Sequence, residues 1–200
     1  MRLSKSRRKK LITAVLVLVL FTIGAVSEHL GIDAAWLDNQ GSVNQTTVAG
    51  VYKVTNIEDG DTITVDMNGN KERVRFIGVD TPEIRDPRKP VQCFGRAASA
   101  FTKDLIADND VRLEADPENT NRDRYDRLLR YIYLPDNTLV NAEIIKQGYG
   151  FAYTSFPFTK KDDFKQLEIQ AKQQNKGLWG SCTTGVDEKG YNTINPDPNP

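Results

Sequence analysis

Two short turns, Asp59-Gly60 and Asn68-Gly69, constrain this chain more than any other feature of its sequence. They separate three β-branched runs: VYKVTNI (Val51 to Ile57), DTITVDM (Asp61 to Met67) and KERVRFIGV (Lys71 to Val79). Asp-Gly and Asn-Gly supply the positive backbone angles that a tight hairpin needs, so three antiparallel strands in series are expected. In the third run Arg73 and Arg75 alternate with Val74 and Phe76, which puts both arginines on one face and the apolar pair on the other.

The remaining signals alternate in type. FGRAASAFTKDLI carries Phe94, Ala97, Ala98, Phe101 and Leu105 at helical spacing. VRLEA and RLLRYIYL read as two further strands, and LVNAEIIKQG as a short helix ended by Gly148. TKKDDFKQLEIQAKQQNKG opens on a capping-box pattern at Thr159 and Asp162, packs Phe164, Leu167 and Ala171, and stops at Gly177. Five short strands, with one helix between the third and fourth and two after the fifth, predict an α+β domain over residues 51–181. The architecture that suits them is a five-stranded Greek-key barrel of the oligonucleotide-binding (OB) type with three α-helices.

The ends differ from this middle. Residues 1–27 hold six cations (Arg2, Lys5, Arg7, Arg8, Lys9, Lys10) and no acid, and Leu11 to Val26 is apolar. Such a run spans roughly 24 Å as a helix, short of the ~30 Å hydrocarbon core, which favours a cleaved signal peptide over an N-terminal membrane anchor. Both readings place the folded part outside the cytoplasm, and membrane contact is expected only through residues 11–27 if they are retained. Residues 28–50 read as a polar linker. Residues 182–200, rich in Pro, Asn and Asp, read as a disordered tail.

Cys93 and Cys182 suit an oxidising compartment; they are a candidate disulfide, the alternative being two unrelated thiols. His29 is the only histidine, which removes His-based catalysis and zinc chemistry. Between Val51 and Ser181 there are 20 basic and 21 acidic residues, so any site for a polyanion must be local.

The acids near the first hairpin suggest such a site. Singly, Asp59 and Asp61 are ordinary turn residues around Gly60, and DTPE (Asp80 to Glu83) is an ordinary proline turn. Together they are less ordinary. Pairing of the second and third strands brings Asp61 and Asp80 to one edge, with Glu83 three residues on. Clustered carboxylates repel unless a cation joins them, and hard oxygen donors select Ca²⁺ or Mg²⁺. Arg75, on the strand that ends at Asp80, adds a planar fork suited to phosphate.

These residues resemble those of the staphylococcal nuclease (thermonuclease) family. The matching stretches are DGDT (Asp59 to Thr62), VRFIGVDTPE (Val74 to Glu83), DRYDRLLRYIY (Asp123 to Tyr133), LVNAEIIKQGYGFAY (Leu139 to Tyr153) and GLW (Gly177 to Trp179). The resemblance implies a secreted OB-barrel endonuclease that uses Ca²⁺ to hydrolyse DNA and RNA and leaves 3′-phosphate ends; nothing in the sequence demands more than a monomer, and no obligate protein partner is expected. It implies Asp61, Asp80 and the Thr81 carbonyl as metal ligands, Glu83 as general base, and Arg75 with Arg127 as the grip on the scissile phosphate. Asp59 falls at the rim. Arg124, Tyr125 and Tyr153 match positions that line the bound nucleotide.

Departures from the family pattern bear on affinity. Ser155 stands where the founding enzyme has a second pocket tyrosine, Asp126 where glycine is common, and the domain is nearly neutral. Weaker substrate binding and a steeper reliance on Ca²⁺ are expected. The competing expectation is a non-catalytic OB module that binds nucleic acid or protein at the cell surface. Clustered acids argue against it, because they would repel a polyanion.

Overall fold

The computed structural model describes residues 50–87 and 90–198. The signal or anchor segment and all but the last residue of the linker lie outside the described residues. Among the described residues nine strands and four helices follow one another: β1 (Val51–Asp59), β2 (Thr62–Met67), β3 (Asn70–Phe76), β4 (Val79–Asp80), α1 (Gly95–Ile106), β5 (Asp110–Glu114), β6 (Leu128–Tyr133), α2 (Val140–Lys146), β7 (Phe151–Ala152), α3 (Lys161–Gln173), α4 (Leu178–Ser181), β8 (Thr184–Val186) and β9 (Asn192–Ile194).

Strands β1, β2, β3, β6 and β5 close into a barrel in that order. All neighbours are antiparallel except β3 and β6, which run parallel with Arg75 opposite Leu129. This is the expected OB-type barrel, with α1 inserted between β3 and β5 and α2 and α3 after β6. The four-residue α4 is additional.

Both hairpins form, but the first turns one residue later than expected: Asp59 ends β1 opposite Thr62, so Gly60 and Asp61 make the turn, without the positive φ expected of Asp-Gly. Asn68 (φ 56°) and Gly69 (φ 88°) take the left-handed angles of a two-residue turn, and β2 pairs β3 from Met67↔Asn70 to Thr62↔Arg75. Strand alternation then fills the barrel: Ile63, Val65, Val74, Phe76, Val111, Leu113, Leu128 and Ile132 are buried together.

Helix α1 is rotated relative to the expected stripe. Ala98, Thr102 and Ile106 are its buried face, while Phe101 is only partly buried and stacks on Tyr149 at 4.0 Å between ring centroids. Phe94 precedes the helix with φ 67° and meets the same tyrosine. The capping box expected at Thr159 does not form. Thr159 donates its N–H (2.8 Å) and hydroxyl (2.6 Å) to Asp116 instead, which also accepts the Tyr131 hydroxyl at 2.6 Å. The charge-assisted bonds to the buried Asp116 carboxylate fix the Thr159 side chain, and the helix starts one residue later than the capping pattern implies, with Lys160 at the cap position and no side-chain cap.

The tail expected to be disordered is instead ordered between Thr183 and Asp197. β8 and β9 pair as a small antiparallel hairpin, and Gln92 bridges to Pro196. Its order comes from a disulfide between Cys93 and Cys182 and from backbone hydrogen bonds onto the segment around Cys93. Neither contact is local in sequence.

Candidate active site

The β2–β3 register sets Thr62 opposite Arg75, so the residue before β2 and those after β3 meet at one end of the barrel. Asp61 is buried there. Its Oδ2 accepts the Thr81 N–H at 2.8 Å and the Thr81 hydroxyl at 3.1 Å, and lies 3.1 Å from Arg75 Nη1; its Oδ1 accepts the Thr62 hydroxyl at 3.0 Å. Gly60 permits this approach, since a Cβ at that position would stand 2.8 Å from the Thr81 methyl. Thr102 of α1 holds the same turn by donating its hydroxyl to the Gly60 carbonyl at 2.7 Å.

Arg75 spans two carboxylates. Nη1 faces Asp61 and donates to the Val79 carbonyl at 2.6 Å, while Nη2 donates to Asp80 Oδ1 at 3.1 Å. Its side chain is 14% exposed against 42% for that of Asp80. Burial opposes the arginine charge, but Asp61, Asp80 and Asp59 outweigh it and raise the guanidinium above its ordinary value. Asp80 itself is fixed by the short β4–β7 pairing, in which it registers with Phe151.

Asp59 is half-buried at the end of β1 and accepts the Asp61 N–H at 3.2 Å. Burial, and then the neighbouring Asp61 charge, push its carboxyl up to about 7. Two carboxylates, Asp61 and Asp80, face the one Arg75 guanidinium, and their donors are all hard oxygens. That chemistry fits Ca²⁺ or Mg²⁺ rather than a softer metal. Among the described residues no three acids, cysteines or histidines group closely enough to hold a metal by themselves. A cation at Asp61 and Asp80 would need carbonyl, water and phosphate oxygens to complete its six to eight ligands.

The other candidates lie in loops of their own, each held by local partners. Glu83 accepts the N–H groups of Arg85 (2.6 Å) and Asp86 (3.1 Å), both on Oε1. Arg127 pairs with Asp123, its Nε and Nη2 at 2.7 and 2.6 Å from Oδ2. The parallel pairing of β3 with β6 sets Arg75 opposite Leu129, so Arg127 stands two residues ahead of that pair, level with Arg73. Tyr125 is exposed, with the Arg124 and Arg127 guanidinium groups 4.8 and 5.4 Å from its ring centre. Asp126 takes φ 63°, which explains why glycine suits the position. Its carboxylate lies 3.6 Å from Arg122, so the negative charge expected beside Arg127 is directed elsewhere. Tyr153 donates its N–H to the Gly78 carbonyl at 2.9 Å, and its ring centre is 5.8 Å from that of Phe156.

Residues 73–181 match the model of the family described as staphylococcal nuclease homologue. The matched span contains Arg75, Asp80, Thr81, Glu83 and Arg127 and covers more than half of the chain. The chain belongs to the staphylococcal nuclease family. It is 36% identical over 172 residues to the Thermonuclease of Staphylococcus intermedius, which covers 86% of this chain and 98% of the relative. It is 40% identical over 136 residues to Endonuclease YncB of Bacillus subtilis (strain 168), covering 67% of this chain and 63% of that relative. Membership places the chain among nuclease hydrolases. Asp61 lies ahead of the matched span and reaches Arg75 and Thr81 through the β2–β3 pairing.

Two further residues touch the candidates and do not stand out in the sequence. Phe156 is 56% exposed beside Tyr153, one residue past the serine that replaces a pocket tyrosine. Gln92 accepts the Glu83 N–H on its side-chain carbonyl at 2.7 Å. A Pro-flanked phenylalanine and a lone glutamine carry no spacing signal of their own.

Proposed function

We propose that this protein is a calcium-dependent, exported endonuclease that hydrolyses phosphodiester bonds of DNA and RNA and leaves 3′-phosphate ends. The observation that carries the reading is the single buried guanidinium of Arg75 spanning Asp61 and Asp80 in a chain of the nuclease family. Asp61, Asp80 and the Thr81 carbonyl would hold the cation. Bound Ca²⁺ supplies charge neutralisation and Lewis acidity at the phosphate.

The chain's own groups carry the rest. Glu83 takes a proton from the attacking water, which must come within about 3 Å of its carboxylate. Water oxygen bonds to phosphorus as the bond to the 5′-oxygen breaks; the departing oxygen takes up a proton, and the phosphate stays on the 3′ side. Arg75 and Arg127 stabilise the charge that grows on the phosphoryl oxygens, through forked donors that match phosphate. Arg124, Tyr125 and Tyr153, joined by Phe156, offer planar surfaces for the flanking bases.

Export is supported by the Cys93–Cys182 disulfide and by the basic, then apolar, residues 1–27. Nothing in the reaction requires more than one copy of the chain. The test incubates the protein with single-stranded DNA and with RNA in Ca²⁺, in Mg²⁺ or with chelator, beside Glu83→Gln. Cleavage that needs Ca²⁺, yields 3′-phosphates and falls by roughly 10²–10⁴ in the variant is expected. Binding of the oligonucleotide by folded protein without cleavage at any Ca²⁺ level would favour the OB binding module instead.

A further inference from the structure

The residues after Ser181 lie beyond the family match, yet they reach the loop that bears Glu83. Thr183 and Asn195 tie the base of the β8–β9 hairpin: Thr183 donates its N–H to Asn195 Oδ1 at 2.7 Å, and Asn195 returns its N–H to the Thr183 carbonyl at 3.1 Å. From there the chain pairs with residues 91–93 as an added strand. Cys93 N–H donates to the Asn195 carbonyl and Asp197 N–H to the Val91 carbonyl, both at 2.8 Å, on either side of the Gln92–Pro196 bridge. The disulfide fixes Cys182 to Cys93 at the start of the same segment.

Gln92 sits at the centre of that pairing and holds Glu83 twice. Its N–H donates to the Glu83 carbonyl at 2.9 Å, and its side-chain carbonyl accepts the Glu83 N–H at 2.7 Å. A continuous run of hydrogen bonds therefore leads from the tail through Gln92 to the backbone of Glu83. We propose that residues 183–197 are a strap that positions Glu83 through Gln92, anchored by the Cys93–Cys182 bond. The proposal rests on Glu83 acting as general base. A base must lie within hydrogen-bond reach of the proton it takes, and a misplacement of about 1 Å can cost on the order of 10²-fold in rate. Gln92 is a positioning residue, since it acts only through Glu83.

The test uses the full chain with Asn195→Pro and Asp197→Pro together, which removes the two N–H donors of the strap at those positions. Beside it stand Gln92→Ala and Gln92→Glu, the latter keeping an acceptor. Amide hydrogen exchange at Glu83, kcat and KM on single-stranded DNA, and Tm are measured for each. The expected result is faster exchange at Glu83 and kcat roughly tenfold lower in the strap variant and in Gln92→Ala, with KM within about twofold. Gln92→Glu should restore both. Unchanged exchange at Glu83 in a folded strap variant, or faster exchange with kcat unchanged, overturns the proposal. If the unaltered protein does not cleave at all, the nuclease reading fails; the exchange measurement then decides by itself whether the strap holds Glu83. If the strap variant does not fold, the Gln92 pair decides.

Discussion

Arg75 Nη1 stands 3.1 Å from Asp61 Oδ2, and both side chains are almost entirely removed from solvent. A buried ion pair of this kind loses more when one partner is removed than it contributes net, because the other charge is left unpaired. Here the same arginine also holds Asp80. The residue proposed to grip phosphate therefore also organises the acids proposed to hold the cation.

Arg75→Lys should accordingly fail on two counts. A lysine keeps the charge but cannot face two carboxylates in one plane. We expect kcat to fall by roughly 10²–10³ and unfolding free energy to fall by about 1–3 kcal/mol. Steady-state kinetics and denaturant unfolding of the same preparation separate the two effects.

Asp116 makes stability depend on acid. Burial works against its charge, but the Thr159 and Tyr131 hydroxyls and the N–H groups of Thr159 and Glu118 outweigh this and lower its carboxyl below the ordinary 3.8. The folded state thus binds this proton more weakly than the unfolded chain does. The stabilisation is fully present above about pH 3.8 and is lost as pH falls through the lower folded value. Asp116→Ala should cost about 2–4 kcal/mol at neutral pH, with buried hydroxyls left unpaired, and should flatten the profile below pH 4. Denaturant midpoints between pH 2 and 7 check both.

Phe156 should matter for binding rather than for the chemical step. With Tyr153 it extends an aromatic surface from the β4–β7 junction, and base stacking is worth about 1–3 kcal/mol per base. Phe156→Ala should raise KM on single-stranded substrate about fivefold or more while leaving kcat close to normal. Phe156→Trp should retain affinity. An equal loss of kcat with KM unchanged would exclude this role.

Reduction of the disulfide should lower thermal stability. The bond joins residues 89 positions apart, and closing a loop of that length contributes up to ~4–5 kcal/mol in the chain-entropy model. Tm with and without reductant should differ by roughly 10 °C or more. The Cys93→Ser, Cys182→Ser double variant should match the reduced protein and should show no response to reductant.

Much of the barrel was legible because its determinants are local. Asn68-Gly69 favours a tight hairpin between β-branched runs, the Asp-Gly pair marks the first turn to within one residue, and alternation separates Val74 and Phe76 from Arg73 and Arg75. The convergence of Asp61 and Asp80 followed from the same register. What local pattern could not supply was competition between distant partners. Thr159 had every mark of a helix cap, but Asp116, distant in sequence, offered a buried acceptor. Residues 183–197 have the composition of a disordered tail, and no core of their own would order them. They are held because the fold brings Cys93 to Cys182 and leaves the backbone of residues 91–93 able to take another strand. The sequence by itself determined the strands of the first meander, the β2–β3 register and the acids which that register brings to the barrel's end. Only the tertiary structure decided how Arg75 is shared between Asp61 and Asp80 and what holds Glu83, because those contacts depend on side-chain packing and on residues 183–197 pairing with the distant residues 91–93.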